Sequence, residues 1–169
     1  MGSQRKSVTT EELYKRRMRG KRAKYGGMEW ENRLISQCSL YDLSVIRIPD
    51  GCKQVAAGRL IRVRTPFDFI VADHFQAAFL DTKTIDATSF GYSLIDQNQL
   101  NNLLKLHDKG HVAGYLIWFK PLDQVLFFNA GQLLEVRPGN GLFLPSGLLL
   151  GSVSDFNPCV LFDKSPENR

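Results

Sequence analysis

Two short apolar segments, each carrying an aspartate, constrain the fold of this chain most strongly. Residues 67–72 and 77–84 are rich in β-branched and aromatic side chains, and the short connection between them is typical of a hairpin. Because side chains alternate along a strand, Asp81 and Lys83 share one face, and a hairpin brings Asp68 beside Asp81. Aspartate is a poor strand former, and burying its charge without a partner is costly. The pair of carboxylates therefore suggests chemistry.

Two adjacent carboxylates repel each other, and one of them becomes protonated unless a cation lies between them. Mg²⁺ or Mn²⁺ meets that need, because these hard ions prefer carboxylate, carbonyl and water oxygens. Lys83 could then orient a water, help to deprotonate it and stabilise the charge on an attacked phosphate. A structural alternative stays open, because such triplets are common by chance: Asp81 and Lys83 form the exposed end of an edge strand, and Asp68 faces solvent.

The rest of the chain predicts a mixed β-sheet flanked by helices. Helical spacing of apolar residues predicts a helix over 28–40, with Glu31 on its apolar face and with Gly26-Gly27 as a break before it. A second helix, capped by Asp96, is predicted to run to about Asp108. Further strands are predicted at 43–48, 112–119 and 124–128, and residues 59–64 as a basic strand or loop. This order is typical of the α/β or the α+β class, of which we expect α/β, and the pattern after residue 130 predicts no clear element.

Composition excludes several classes of protein. The chain has 169 residues, is 43% hydrophobic and 23% charged, and is therefore neither wholly disordered nor collagen-like. No apolar run approaches the ~20 residues that span a bilayer, and no signal peptide or myristoylation motif is recognisable. Three cysteines without a CxxC pair favour free thiols in a reducing compartment. We therefore expect a cytoplasmic protein without a membrane partner.

The charge is concentrated at the N-terminus. Residues 1–25 contain nine basic and two acidic side chains, so this arm has a net charge of +7. Because the whole chain has a net charge of +5, the remaining residues carry −2. A basic arm on a slightly acidic body favours a polyanion partner, because each neutralised phosphate releases counterions. A solvated terminus that aids solubility is the alternative.

The order of these motifs resembles the PD-(D/E)xK nuclease superfamily and, within it, the Holliday junction resolvases of the recombination protein U family. The matching stretches are Gly27-Met28-Glu29-Trp30-Glu31, Val45-Ile46-Arg47-Ile48-Pro49, Asp68, Asp81-x-Lys83, Ser89-Phe90 ahead of Gln99-x-x-x-Leu103, and Ile117-Trp118-Phe119. The resemblance covers about residues 26–128. It implies a restriction-endonuclease-like fold, with a basic arm over 1–25 and a nuclease domain over 26–169 whose core spans about 28–128.

The resemblance also implies a function. The protein would be a metal-dependent DNA endonuclease that resolves Holliday junctions by paired, symmetric phosphodiester hydrolysis, with Mg²⁺ or Mn²⁺ as cofactor. Two symmetric cuts imply a homodimer. The implied catalytic residues are Glu31, Asp68, Asp81 and Lys83, and the implied metal contacts are Asp68, Asp81, Thr82 and Gln99. Backbone contacts to DNA are expected from Arg16, Arg17, Arg19, Lys21, Arg22, Lys24, Arg62 and Arg64.

The chain departs from the family in three places. Asp81 stands where the family usually has Glu, and Pro66 stands where it has Thr two residues before its first Asp. The stretch between Pro49 and Asp68 is shorter than the family's stalk, as in a compact variant from a phage or mobile element. Three alternatives remain: a restriction-type or single-strand nuclease, a non-catalytic nucleic-acid-binding protein, and an interaction module with a solubilising arm.

Overall fold

The computed structural model describes residues 26–54, 60–63, 65–136 and 147–163. Helix α1 occupies residues 26–40, and the strands and helices that follow are given in chain order. They are β1 Ser44–Arg47, β2 Gly51–Gln54, β3 Leu60–Val63, β4 Phe69–Ala72, β5 Ala77–Ile85, α2 Gln97–His107, β6 Val112–Phe119, β7 Gln124–Asn129, α3 Ala130–Leu133 and β8 Leu148–Gly151. Single 3₁₀ turns lie at Tyr92–Leu94, Lys120–Leu122 and Pro158–Phe162.

Six of these strands form one mixed sheet in the order β1-β4-β5-β6-β7-β8. All neighbours pair antiparallel except β5 and β6, which run parallel because helix α2 crosses over between them. Strands β2 and β3 pair with each other in a separate two-stranded ribbon, inserted between β1 and β4. The chain thus fits the predicted α/β class, a mixed sheet flanked by helices.

The sheet is buried on both faces. Trp30 and Leu34 of α1 pack with Leu80 against one face, and Leu103 of α2 packs against the other face, where Phe79 also lies. Strand β6 belongs to both packing layers, which explains why its eight residues form an almost continuous apolar run rather than an alternating one. Residues of β5 therefore alternate between the layer of α1 and the layer of α2.

The strong sequence patterns agree with this architecture, and one prediction is wrong. The hairpin of β4 and β5, the buried strand β6 and the Asp96-capped helix α2 all lie where the sequence places them. Gly26 and Gly27, however, do not break the chain ahead of α1, because both are helical. Each glycine costs a helix about 1 kcal/mol, and the burial of residues such as Trp30 on the sheet outweighs that cost.

The chain after residue 130 extends the sheet and the core. Asn129 and Gln132 form a reciprocal capping box that starts α3, and β8 then adds an edge strand beside β7. Phe156 and Leu161 are fully buried in the layer of α1, so the hydrophobic core continues past residue 128. The basic arm over 1–25 lies outside the described residues. Within the described ranges, no helix is long and apolar enough to cross a membrane.

Gly114 in β6 allows the backbone of the neighbouring strand β7 to approach closely. A Cβ there would lie 2.0 Å from the Phe128 carbonyl oxygen and 2.8 Å from the Asn129 Cα, and neither backbone atom can move aside cheaply. We expect Gly114→Ala to lower the free energy of unfolding by about 3 kcal/mol, measured by urea denaturation. Gly27→Ala is the matched control, because a Cβ at this helical glycine meets nothing within 4 Å and should be neutral or slightly stabilising. Equal effects of the two variants would contradict the packing at Gly114.

Candidate active site

The β4–β5 hairpin brings Asp68 to the strand that carries Asp81. The last paired residues of the hairpin are Phe69 and Leu80. Asp68 directly precedes Phe69 and Asp81 directly follows Leu80, so the two acids lie next to each other just beyond this last pair. The Asp68 carboxylate accepts a hydrogen bond from the Thr82 backbone N–H at 3.0 Å and contacts the Thr82 hydroxyl at 3.3 Å. The side chain of Asp68 thus replaces a backbone acceptor for Thr82 where the ladder of β4 ends, and this fixes the carboxylate beside β5.

Asp81 is a fully buried carboxylate in the middle of the sheet. Its Oδ2 lies 2.5 Å from the Lys83 Nζ, whereas its Oδ1 is buried without a hydrogen-bond partner among the described residues. Burial raises the pKa of Asp81 to about 7, Lys83 opposes that rise and the nearby Asp68 adds to it. The ion pair with Lys83 therefore only partly compensates the buried charge. The alternative in which Asp81 and Lys83 end an exposed edge strand does not fit, because β5 lies inside the sheet and Asp81 is inaccessible.

A cleft of 380 Å³ lies between Lys83 and the start of α2. Its wall comes from the loop and first turn of that helix, and its lining residues are Lys83, Ser93, Leu94, Ile95, Asp96, Gln97 and Gln99. Asp96 caps α2 by accepting from the backbone N–H groups of Asn98 and Gln99, which orients the first turn toward the cleft. Gln99 is only 9% exposed although most helical glutamines lie on the surface. The structure therefore brings Gln99 and Lys83 to the same cavity.

Glu31 lies on the other side of the sheet from that cleft. It belongs to α1, and its Oε2 forms an ion pair with the Arg47 Nη2 at 2.5 Å. Burial raises the pKa of Glu31, Arg47 lowers it and the charge of Asp68 raises it again. The charges of Glu31 and Asp68 therefore interact. Glu29 instead pairs with Arg33 on the exposed side of α1, in agreement with the helical period.

Two residues at the site were not singled out by the sequence. Arg47 stands within a stretch that resembles the family, but its partner Glu31 comes from a different element and no local pattern predicts the pair. Tyr115 appears in the sequence as one aromatic residue of an apolar strand. In the fold it is the neighbour of Asp81 on β6, and its ring lies 5.3 Å from the Lys83 Nζ. A hydroxyl within an otherwise apolar run was the available signal.

The predicted DNA contacts lie mostly outside the described residues. This applies to the six residues of the arm, which are Arg16, Arg17, Arg19, Lys21, Arg22 and Lys24, and to Arg64. Arg62 is a residue of β3, in the two-stranded ribbon. The ribbon begins after Arg47 and ends before Asp68, so both of its connections to the sheet lie beside site residues.

The donor atoms at the site suit a hard divalent cation. Asp68 and Asp81 provide adjacent carboxylates, and the buried Asp81 Oδ1 is an acceptor for which the described residues supply no donor. Within the described part of the chain, no three acidic, histidine or cysteine side chains gather into a metal-binding group. Mg²⁺ does not require such a group, because it is commonly held by one or two carboxylates together with waters and substrate phosphates. The two carboxylates therefore fit Mg²⁺ or Mn²⁺ as a cation whose other ligands are waters or phosphate oxygens.

The fold is an α/β fold with a mixed sheet flanked by helices, and a similar fold occurs in a solved structure of a Holliday junction resolvase. The chain is similar to Hjc, a Holliday junction resolvase from the archaeal hyperthermophile Archaeoglobus fulgidus, with a TM-score of 0.50 and 15% sequence identity. The similarity covers 76% of this chain and 97% of that chain. At this identity it shows the fold alone. No protein-family profile matches the chain, and neither does any curated protein sequence.

The incompletely compensated charge of Asp81 leads to a stability prediction for the protein in EDTA. Asp81→Asn keeps the shape and removes the charge, so it should raise the free energy of unfolding by about 1 to 3 kcal/mol at pH 8. In wild type the folded state retains the Asp81 proton up to about pH 7, whereas the unfolded state, in which the carboxyl has its ordinary pKa of 3.8, loses the proton earlier. Wild-type stability therefore falls across that window as the pH rises, and the advantage of the variant grows from pH 4 to pH 8.

Urea unfolding at several pH values measures this difference. Asp108→Asn, at an exposed residue after α2, is the control and should show no comparable gain at any pH. If Asp81→Asn lowered the free energy of unfolding at pH 8, the conclusion that the buried Asp81 charge destabilises the fold would be wrong.

Proposed function

We propose that this protein is a divalent-metal-dependent DNA endonuclease of the PD-(D/E)xK type that resolves Holliday junctions. The observation that carries the proposal is the fully buried Asp81 carboxylate, which is ion-paired with Lys83, adjacent to Asp68 and left with one oxygen that no donor in the described part of the chain reaches. Such a group is costly in a sheet, and a cation shared with a phosphate substrate gives it a physical reason. The fold of a protein described as a Holliday junction resolvase supports the choice of branched DNA as substrate.

Asp68 and Asp81 would hold the cation, with Thr82 and Gln99 as further oxygen donors. When bound, a divalent cation supplies Lewis-acid polarisation of a phosphodiester and a nucleophile from water at neutral pH. The chain's own contribution begins with the fixed position of the two acids, since the Thr82 amide holds Asp68 and the sheet holds Asp81. Thr82, which lies between Asp81 and Lys83 on β5, would therefore also orient Asp68.

Lys83 would stabilise the negative charge that develops on the attacked phosphate. Its side chain is 26% exposed and lines the cleft, so its ammonium can meet a phosphate while remaining close to Asp81. The ammonium could also orient a water for attack. Glu31 would complete the site from the side of α1, where it is ion-paired with Arg47 and where the charge of Asp68 acts on it.

DNA binding would depend on charge outside the cleft. The basic arm over 1–25, together with Arg62 and Arg64, would contact the phosphate backbone without reading sequence, which suits a substrate defined by its branched shape. Two symmetric cuts would require two copies of the site, and a homodimer with twofold symmetry supplies them. Such a protein would work in the cytoplasm, where chromosomal or phage DNA is accessible.

A cleavage assay on a labelled four-way junction, linear duplex and single strand tests this function. With Mg²⁺ or Mn²⁺ we expect paired symmetric nicks in the junction, none in EDTA, and at least a ~100-fold lower rate for Asp68→Asn, Asp81→Asn and Lys83→Ala. Asp108→Asn and Lys105→Ala are matched controls at exposed residues of the same charge and should cleave like wild type. Preferred cleavage of duplex or single strand would favour the other nuclease classes.

Metal binding has a separate readout in thermal unfolding. Mg²⁺ or Mn²⁺ should raise the melting temperature of wild type and of Asp108→Asn, but not that of Asp81→Asn. Tight junction binding without cleavage under either metal would overturn the catalytic proposal and favour a DNA-binding protein.

The basic arm leads to a prediction about salt. Replacing Arg16, Arg17, Arg19, Lys21, Arg22 and Lys24 with Gln should weaken junction binding at low salt and reduce the slope of log K against log salt by up to about 5. Fluorescence anisotropy in EDTA measures both quantities without cleavage. Lys105→Ala and Lys109→Ala together serve as the control for loss of positive charge elsewhere. An unchanged slope in the arm variant would identify the arm as a solubilising segment.

A further inference from the structure

We propose that Tyr115 is a positioning residue for Lys83. The aromatic ring of Tyr115 holds the Lys83 ammonium at the cleft. Tyr115 lies on β6 opposite Asp81, in the parallel ladder between β5 and β6. The Lys83 Nζ is 5.3 Å from the centre of the Tyr115 ring, within the range of a cation–π interaction. This inference rests on the proposed nuclease function, and it adds a residue that the resemblance does not include.

The ring and the Asp81 carboxylate restrain the ammonium of Lys83 in complementary ways. Asp81 attracts the Nζ from its own strand at 2.5 Å, and the Tyr115 ring faces the same atom from the neighbouring strand. A lysine side chain has four rotatable carbon–carbon bonds, and a single ion pair leaves much of that freedom. Two restraints from adjacent strands fix where the ammonium meets a substrate in the cleft, and such positioning acts on the chemical step more than on substrate binding.

The hydroxyl of Tyr115 holds the opposite wall of the same cleft. It accepts a hydrogen bond from the Asp96 backbone N–H at 3.2 Å, and Asp96 is the N-cap of α2. Burial raises the pKa of Tyr115, and the charges of Asp81 and Asp68 raise it further, so the phenol stays neutral. One buried side chain therefore contacts both Lys83 and the start of the helix that carries Gln99.

A purely structural role for Tyr115 is the competing interpretation. Its ring also packs edge-on against Phe90 at 5.7 Å, and it belongs to the core layer of α2. Phe119 gives a matched comparison, because it lies four residues along the same strand, is equally buried in the same layer and packs against Phe128. Phe119→Leu removes a buried aromatic ring without touching the cleft.

The experiment compares Tyr115→Leu, Tyr115→Phe and Phe119→Leu at a temperature where all three are folded. We expect Tyr115→Leu to lower kcat on the junction by about 10- to 100-fold with KM changed less than about threefold. Tyr115→Phe keeps the ring and should restore most of kcat, whereas Phe119→Leu should stay close to wild type. An equal loss of kcat in Phe119→Leu, or no recovery in Tyr115→Phe, would overturn the proposal.

A spectroscopic readout separates this inference from the proposed function. In protein labelled with ¹³C-lysine, the ring current of Tyr115 should shift the Lys83 Cε–H resonance upfield, with Lys83→Arg as the assignment control. The shift should vanish in Tyr115→Leu and persist in Tyr115→Phe and Phe119→Leu. If the protein cleaves no DNA, the proposed function fails, but this shift still decides whether the ring holds Lys83. An unchanged resonance in Tyr115→Leu overturns the inference whether or not the protein is active.

Discussion

The contact between the buried Asp81 carboxylate and the Lys83 ammonium is the interaction on which the rest of this site depends. A charge in the middle of a sheet that is covered on both faces loses its hydration, and one ion pair at 2.5 Å does not replace all of it. The surrounding core must therefore contribute more stability than the site removes. Large buried side chains on both faces supply it, among them Trp30 and Phe69 in the layer of α1.

The parallel pairing of β5 with β6, the one such pairing among the described strands, explains why these groups meet at a cavity. A parallel neighbour for β5 requires a crossover, and the crossover helix α2 must begin near the carboxyl end of β5. Ligand sites in α/β sheets commonly form at that end of the strands. Lys83 on β5, Tyr115 on β6 and Gln99 in the first turn of α2 are therefore neighbours because of the topology, although 32 positions separate the lysine from the tyrosine in the sequence.

How far the sequence could predict this arrangement depends on the range of each interaction. The proximity of Asp68 to Asp81 follows from a short hairpin and a period of two, so the sequence predicts it, and Asp96 as a cap of α2 is equally local. The strand next to β5 is set by packing across the whole sheet, so the contact of Tyr115 with Lys83 was not predicted. The ion pair of Glu31 with Arg47 joins a helix to an edge strand and leaves no local pattern. Tertiary packing likewise overrides the glycines at the start of α1.

Asp68 interacts with residues from several elements and so links groups that are otherwise separated in the fold. Its carboxylate contacts Thr82 on β5, its backbone carbonyl accepts from the Ile48 N–H beyond β1, and its charge acts on both Glu31 and Asp81. The ribbon of β2 and β3 leaves the sheet after Arg47 and returns just before Asp68. Under the proposed function, a DNA backbone bound at this edge would contact Asp68 close to the points where the ribbon leaves and rejoins the sheet. The length of the insertion does not change where it is attached, because strands β1 and β4 set both attachment points.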